Sequence, residues 1–430
     1  MTVSKIVELA IRISENTAKV DAYLRENDLP SPSFHEDGPV DFGIRCEQTK
    51  KAQEEAINLS FELQRLLLGP LQFMNPVPNG LSLQAISKYN MATKVPIHGD
   101  ISFGDLAREC GLSEINTRRF VRYAIVFHRV FQEPRPGYVG HTAASRVLAE
   151  DPVMRDVLSH YLEECFPSFA MTLNAIDKFN GGTEPNQTGW NLYHETNLSP
   201  WDYYDANPES GRRFFSTMAY ETEREGRSNT VLVNNYPWSS LASTSKANGE
   251  EEEKGPATIV DVGGSRGLTA IQIAQATPEL KIIVQDLPAM IKGASADLPA
   301  TIKDRVEFMA HDFFQVQDVQ ADMYIYRHVF HNWSHANAVK ILRALVPALK
   351  TGAKVLVNDY IAPAPGTLSP LKEQRLREMD MIMLTLCNAY EREDHDWKRL
   401  FRDADPRFEI LTMFAPKGAT EGIIEVVWRG

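Results

Sequence analysis

No apolar run in this sequence approaches the length of a membrane-spanning helix, so a membrane is not among the expected partners. Cysteine is scarce. Cys46, Cys110, Cys165 and Cys387 are scattered, with no CxxC pair and no histidine cluster at zinc spacing. That pattern excludes a disulfide framework and a zinc ribbon, and leaves four reduced thiols and no metal centre as the expectation. Positive charge is in deficit, 45 Lys and Arg against 57 Asp and Glu for a net charge of −12. A nucleic-acid partner held mainly by phosphate contacts is disfavoured by that balance. The first residues, "MTVSKIVELAIRISENTAKV", show an amphipathic helical pattern and no cleavable signal, so a cytoplasmic protein is expected. At 430 residues the chain is long for one core, which predicts two domains or one domain with a large appendage.

The first half reads as mostly helical. "EEAINLSFELQRLLLGPLQFM" carries apolar residues at helical spacing and is expected to end at Gly69-Pro70. The stretch from Ile101 onward predicts a short helix, a turn at Gly111, a second helix capped by Ser113, and a small hairpin that includes "YVGHT". Together these make a winged-helix pattern. One reading is DNA binding through Arg118, Arg119 and Arg122. The other is a packing or dimerisation module with a solvated arginine face, and the acidic chain favours it. Residues 155–235 are helical and rich in aromatics. Trp190, Trp201, Tyr203, Phe215 and Met218 outnumber what a core normally needs, so some are candidates to line an apolar pocket. The small, acidic stretch that follows, with Glu250 to Glu253 as a solvated run, is the best linker or loop candidate.

Beyond it strands and helices alternate, as in a parallel, doubly wound sheet. The tail, "FEILTMFAPKGATEGIIEVVWRG", predicts a hairpin that sets an antiparallel strand into that sheet. "VDVGGSRGLTAIQIA" is a strand, a glycine turn and a helix start, the place where such sheets bind nucleotide-like ligands. Its spacing is GGxxG, without the GxGxxG that cradles a pyrophosphate and without a P-loop Lys-Ser/Thr. Asp286, about 20 residues on at the end of the next strand, stands where an acid accepts two ribose hydroxyls. The alternative is a turn former. Asp312 and Phe313 close the following strand, one available to an adenine amino group and the other to the ring face. Ribose and adenine contacts without a pyrophosphate loop describe S-adenosylmethionine better than NAD. Two histidines, His328 and His331 in "RHVFHNW", remain open between chemistry and packing.

"VDVGGSRG", "VQDLP", "HDFF", "RHVFHNW" and "VLVNDYIAP" match, in order, motifs of small-molecule O-methyltransferases such as the plant caffeate and flavonoid enzymes. The whole pattern most resembles fungal natural-product O-methyltransferases. The resemblance implies an α/β fold: a Rossmann-like class I methyltransferase sheet, mostly parallel with an antiparallel C-terminal hairpin, and an N-terminal helical winged-helix dimerisation domain. It places that domain at 1–160 and the catalytic domain at 161–430, with a substrate-lining helical segment at 161–237 and a flexible acidic loop at 238–256. It implies His331 as general base, with Asp359 and Glu391 orienting it. Gly263, Gly264, Asp286, Leu287, Asp312, Phe313 and Arg327 are implied as the S-adenosylmethionine site, and Met218, Met383 and Asn388 as acceptor contacts. A homodimer acting on a small aromatic or polyketide-like molecule is implied as well. Two positions depart from the family. Asp359 stands where glutamate is frequent, which shortens its reach, and Asn332 stands where aspartate is usual, which removes a charge. His328 has no implied role beyond packing or capping. Competing readings are a pericyclase of the same fold that binds the sulfonium without transferring methyl, and a DNA-binding regulator.

Overall fold

The central strands of the second half, such as "TIVDV" and "MYIYR", are apolar on both faces, and a strand of that kind must be covered on both sides. The computed structural model describes residues 3–74, 80–224, 227–241, 246–247, 250–251 and 256–430. Seven strands form one sheet: β3 (Thr258–Val262), β4 (Lys281–Asp286), β5 (Val306–Ala310), β6 (Met323–Arg327), β7 (Lys354–Asp359), β8 (Phe408–Phe414) and β9 (Gly422–Trp428). Their spatial order is β8-β9-β7-β6-β3-β4-β5. The five strands from β7 to β5 run parallel. The β8–β9 hairpin is antiparallel, and β9 pairs with β7 from Gly422↔Asp359 to Val427↔Lys354. This is the class I methyltransferase arrangement that the motif order predicts. Because β3 lies between β4 and β6, the chain reverses its direction of travel across the sheet there. The carboxyl ends of these strands form the crevice.

Alternate residues feed two cores. Val260, Tyr324, Tyr326, Val355 and Val357 pack with Trp397 and Phe401 on one face. Ile259, Ile282, Met323, Ile325 and Leu356 pack with Ala270 and Ile273 on the other.

The chain divides into two compact units, Met1–Pro167 with Pro365–Arg375, and Ser168–Ala364 with Leu376–Gly430. The recruitment of 365–375 to the first unit has no local sequence signature. In the first unit, α1 (Lys5–Glu26) pairs with α2 (Glu47–Phe73). The second of these breaks where expected, Gly69 leaving helical geometry at φ 72, but a final turn resumes after Pro70. Proline suits a helix start, because its missing N–H would be unsatisfied there anyway. Further on, α3 (Phe103–Cys110), Gly111 at φ 67 and α4 (Glu114–His128) form the helix-turn-helix, with Ser113 capping α4 through the Asn116 N–H. The expected hairpin is minimal: Gln132 and Gly140 exchange both backbone hydrogen bonds, at 2.9 and 3.0 Å. "YVG" is a strand, β2 (Tyr138–Gly140), and its strand partner is β1 (Asp100–Ser102), which precedes the two helices. The register is Ile101↔Val139, so the small sheet closes across the helical pair. Arg122 is bound at both edges by Glu133, at 2.8 and 2.9 Å, and Arg118 pairs with Glu114, so two of the three arginines are committed within the unit.

None of the four cysteines is in a disulfide. Among the described residues no helix is long and apolar enough to cross a membrane. Much of the 238–256 loop, including the side chains of its acidic run, lies outside the described residues.

Trp397 links core to crevice, since it is almost wholly buried and its indole N–H donates to the Tyr360 carbonyl at 3.0 Å. Trp397→Ala is expected to cost about 3–5 kcal/mol. Trp397→Phe, which keeps most of the volume and loses the hydrogen bond, is expected to cost markedly less. Urea denaturation of both variants, with equal losses as the contrary result, checks this.

Candidate active site

The glycine loop follows β3 and is shaped by contacts that leave no room for side chains. Gly263 N–H donates to the Gln285 carbonyl at 2.8 Å, and Gly263 and Gly267 adopt φ 73 and 75, conformations that glycine tolerates best. A Cβ on Gly264 would fall 2.6 Å from Asp261 Oδ2 and 2.8 Å from Val284 Cγ1. Asp286, at the end of β4, accepts the N–H of Ser265 at 2.8 Å and of Leu287 at 2.7 Å. The turn-forming role is therefore real, yet a carboxylate has about four acceptor sites, and two are left for hydroxyls. Burial raises its pKa, and the two N–H donors oppose that rise. Asp312 uses one oxygen to accept the Phe314 N–H at 3.0 Å, and Phe313 sits beside Gly263 and edge-on to Trp333.

Asp261, inside the quoted "VDVGG" yet not singled out from sequence, is the most informative residue here. It is fully buried, and among the described residues nothing hydrogen-bonds its Oδ2. Burial pushes its carboxyl up to about 7, against the pull of the Arg327 charge. A buried, open acid beside a glycine loop, with Asp286 across the loop, fits a ligand carrying both ribose hydroxyls and a cationic amino acid part. That is the composition of S-adenosylmethionine. The signal was an acid interrupting an otherwise apolar strand.

The turn after β6 carries both histidines. His331 is 7% exposed, and its Nδ1 stands 3.2 Å from Glu391 Oε1. Asp359, at the end of β7, is 3.9 Å from that nitrogen, beyond a hydrogen bond. Its carboxylate instead accepts the backbone N–H of His331 at 3.1 Å and of Tyr360 at 3.0 Å. The shortened side chain thus orients the turn, and Glu391 alone orients the ring. Burial lowers the His331 pKa, but the charges of Asp359 and Glu391 outweigh it and the net shift is upward. The donor atoms of the three lie within 4.8 Å of one another, a spacing that a divalent cation could also bridge.

Two supporting residues escaped sequence reasoning. Arg392 is buried and donates to the Phe330 and Trp333 carbonyls at 2.6 and 2.7 Å, pinning the turn from below. Asp380 accepts the Glu391 N–H at 2.8 Å. Arg327 donates to Asn358 Oδ1 at 3.0 Å and to the Arg227 carbonyl, and the Asn332 amide donates to the His328 carbonyl at 2.9 Å.

The acceptor candidates are less uniform. Met218 is half-buried and Met383 buried. Asn388 donates both amide hydrogens to backbone, the Glu184 and Gln187 carbonyls each at 2.9 Å, which leaves only its Oδ1 for a ligand. Trp190 is wholly buried against Tyr203 and Tyr204, so it belongs to the core, whereas Phe215 is exposed.

The sequence of residues 239–405 matches the O-methyltransferase domain family. Over the full length of both chains it is 71% identical to the O-methyltransferase pyvH of Aspergillus violaceofuscus. The chain belongs to the O-methyltransferase family, whose methyl donor is S-adenosylmethionine. It is also 43% identical to the grayanic acid biosynthesis cluster O-methyltransferase of Cladonia grayi, across 99% of this chain and 88% of that one. The structure of OxaC in complex with sinefungin and meleagrin shares the fold, with a TM-score of 0.73 and 20% identity over 97% of this chain and 99% of that one. A structure described as a pericyclic reaction enzyme also shares it, with a TM-score of 0.68 and 18% identity over 88% and 94% of the two chains.

For this methyltransferase the Asp286 carboxylate carries a specific expectation. Asp286→Ala removes a charged acceptor worth about 1.5–3 kcal/mol, so affinity for S-adenosylhomocysteine should fall roughly ten- to a hundredfold. Isothermal titration calorimetry that finds unchanged affinity would relocate the adenosyl site.

Proposed function

We propose that this enzyme transfers the methyl group of S-adenosylmethionine to a phenolic or enolic hydroxyl of a secondary metabolite, with His331 as general base. The observation that carries the reading is the buried His331–Glu391 pair. Glu391 engages Nδ1, so the ring is held in the tautomer that leaves Nε2 as acceptor, and no described residue hydrogen-bonds Nε2. A hydroxyl presented to Nε2 loses its proton there. The resulting imidazolium is stabilised by Glu391 at 3.2 Å and Asp359 at 3.9 Å. The donor supplies a methyl group already activated on a sulfonium, so the chain's share is positioning and deprotonation. Gly263, Gly264, Leu287, Asp312, Phe313 and Arg327 complete the donor site around Asp286 and Asp261, and Met218, Met383 and the Asn388 Oδ1 contact the acceptor.

The pericyclase reading is supported by likeness of fold to a structure described as a pericyclic reaction enzyme. A histidine–carboxylate pair that prepares a base serves proton removal, which methyl transfer to a hydroxyl requires. Product analysis separates the two, because conversion of a substrate with S-adenosylmethionine left intact excludes transfer.

A second copy of the chain is the proposed partner and the cytoplasm the proposed location. In the first unit, Ile6, Val7 and Ile11 of α1 and Leu66, Leu67, Leu68 and Leu71 of α2 are exposed. Apolar surface of that kind marks an interface. Light scattering at micromolar concentration is expected to give the mass of a dimer, and a stable monomer would exclude this assembly.

Two further outcomes test the base. His331→Ala should still bind S-adenosylhomocysteine yet lose roughly 10²- to 10⁴-fold in turnover. The loss should shrink as pH rises toward the acceptor's own pKa. In the unmodified enzyme the base must be neutral, and its pKa lies above the ordinary 6.5, so kcat/KM should fall as pH drops through a midpoint above that value. Glu391→Gln removes one of the raising charges and should move the midpoint downward. A midpoint that does not respond to Glu391→Gln argues against His331 as the titrating group.

A further inference from the structure

His328 has an unusual setting for a residue with no assigned chemistry. Its backbone adopts φ 51, a left-handed conformation uncommon for a residue other than glycine. Its N–H donates to the Asn358 carbonyl at 3.1 Å, and its Nε2 stands 3.0 Å from Glu421 Oε1. Glu421 is 2% exposed and also accepts Arg227 Nε at 3.0 Å. Arg227 reaches Glu221 through Nη1 at 3.0 Å. The Arg227 guanidinium carbon stands 5.6 Å from the centre of the Tyr360 ring. Tyr360 and His328 in turn flank His331, with ring centres 6.2 and 5.6 Å away.

A buried charge cluster is therefore packed ring to ring behind the base. The groups that face His331 are Asp359 from the end of β7, Glu391 from the segment before α5 (Asp394–Ala404), His328 from its own turn, and Arg227 beyond Tyr360. Asp380 and Arg392 stand behind Glu391 and Phe330. Burial together with the Arg327 charge takes His328 down to about 4, so it contributes no charge of its own near neutrality. Two carboxylates with no counterweight would hold the ring proton of His331 too firmly for a base at neutral pH. Arginine is the one side chain whose cation persists under any such burial.

Resting on the general-base reading of His331, we propose that Arg227, clamped by Glu221 and Glu421, is a positioning residue for methyl transfer: its fixed cation opposes the two carboxylates and keeps the base neutral, while Glu421 secures the His328 turn that presents it. The Arg227 charge acts on the His331 proton in the required direction, downward.

The test is the ring titration of His331, followed by NMR in enzyme with isotopically labelled histidine, without donor or acceptor and assigned with His331→Ala. In parallel, the pH profile of kcat/KM is recorded. Arg227→Gln should raise the midpoint in both. Activity at pH 6 should fall roughly three- to tenfold further below its own plateau than in the unmodified enzyme. Arg227→Lys, which keeps the charge, should restore most of the profile, whereas a merely structural role would lower activity without moving either midpoint. If Arg227→Gln does not fold, Glu421→Gln serves instead. It leaves the Arg227 cation less compensated, so the His331 midpoint should fall. A ring midpoint unmoved in the folded variant overturns the inference and leaves the general-base reading standing. A moved ring midpoint with an unmoved kinetic one overturns the general-base reading, and the catalytic part of this inference with it.

Discussion

The arrangement of the site depends on one buried carboxylate that touches no ring. Asp359 accepts the N–H groups of His331 and Tyr360, and so ties the turn after β6 to the end of the neighbouring strand β7. Its neighbour Asn358 repeats the device. The Asn358 carbonyl accepts from His328, its Oδ1 accepts from Arg327, and its amide donates to the Gly422 carbonyl. Two consecutive side chains at one strand end therefore fix β6, β7 and β9 relative to His331. An unpaired buried carboxylate is costly, so these N–H partners also make it possible for Asp359 to lie there at all.

From that fixed edge the two halves of the reaction follow from strand order. The glycine loop leaves β3, Asp286, which holds it, ends β4, and the His331 turn leaves β6 on the opposite side of β3. The glycine loop and the His331 turn thus lie at the point where the sheet changes direction. Gly264 shows how tight the packing is, since Asp261 and Val284 occupy the space a side chain would need.

The two histidines of one short motif are separated by environment alone. His331 lies between carboxylates, and its affinity for a proton rises. At His328, three residues earlier, burial first and the Arg327 charge second bring the pKa down to about 4. His331 is buried, His328 is half-buried, and both belong to the same turn. Identical side chains therefore differ in chemistry because the charges of Asp359 and Glu391 outweigh burial at His331, whereas at His328 burial and the Arg327 charge outweigh Glu421.

The sequence by itself determined the parallel sheet with its antiparallel hairpin and the glycine turn at the end of its first strand. Each of these is written in local pattern: alternation and apolar runs for strands, glycine at a strand end, short ordered motifs. Only the tertiary structure decided the rest. The partner of "YVG" lies before the helical pair, and the 365–375 segment joins the first unit, because strand pairing and domain contacts are set by distant residues. Asp359 turned out to hold backbone and Asn388 to hold a loop, distinctions of a few ångströms that no residue type announces. Arg227 and Glu421, 194 positions apart, meet at 3.0 Å, and neither carries a motif. Charge pairing of this kind is a property of the folded interior, where burial, not spacing along the chain, decides which ions must find each other.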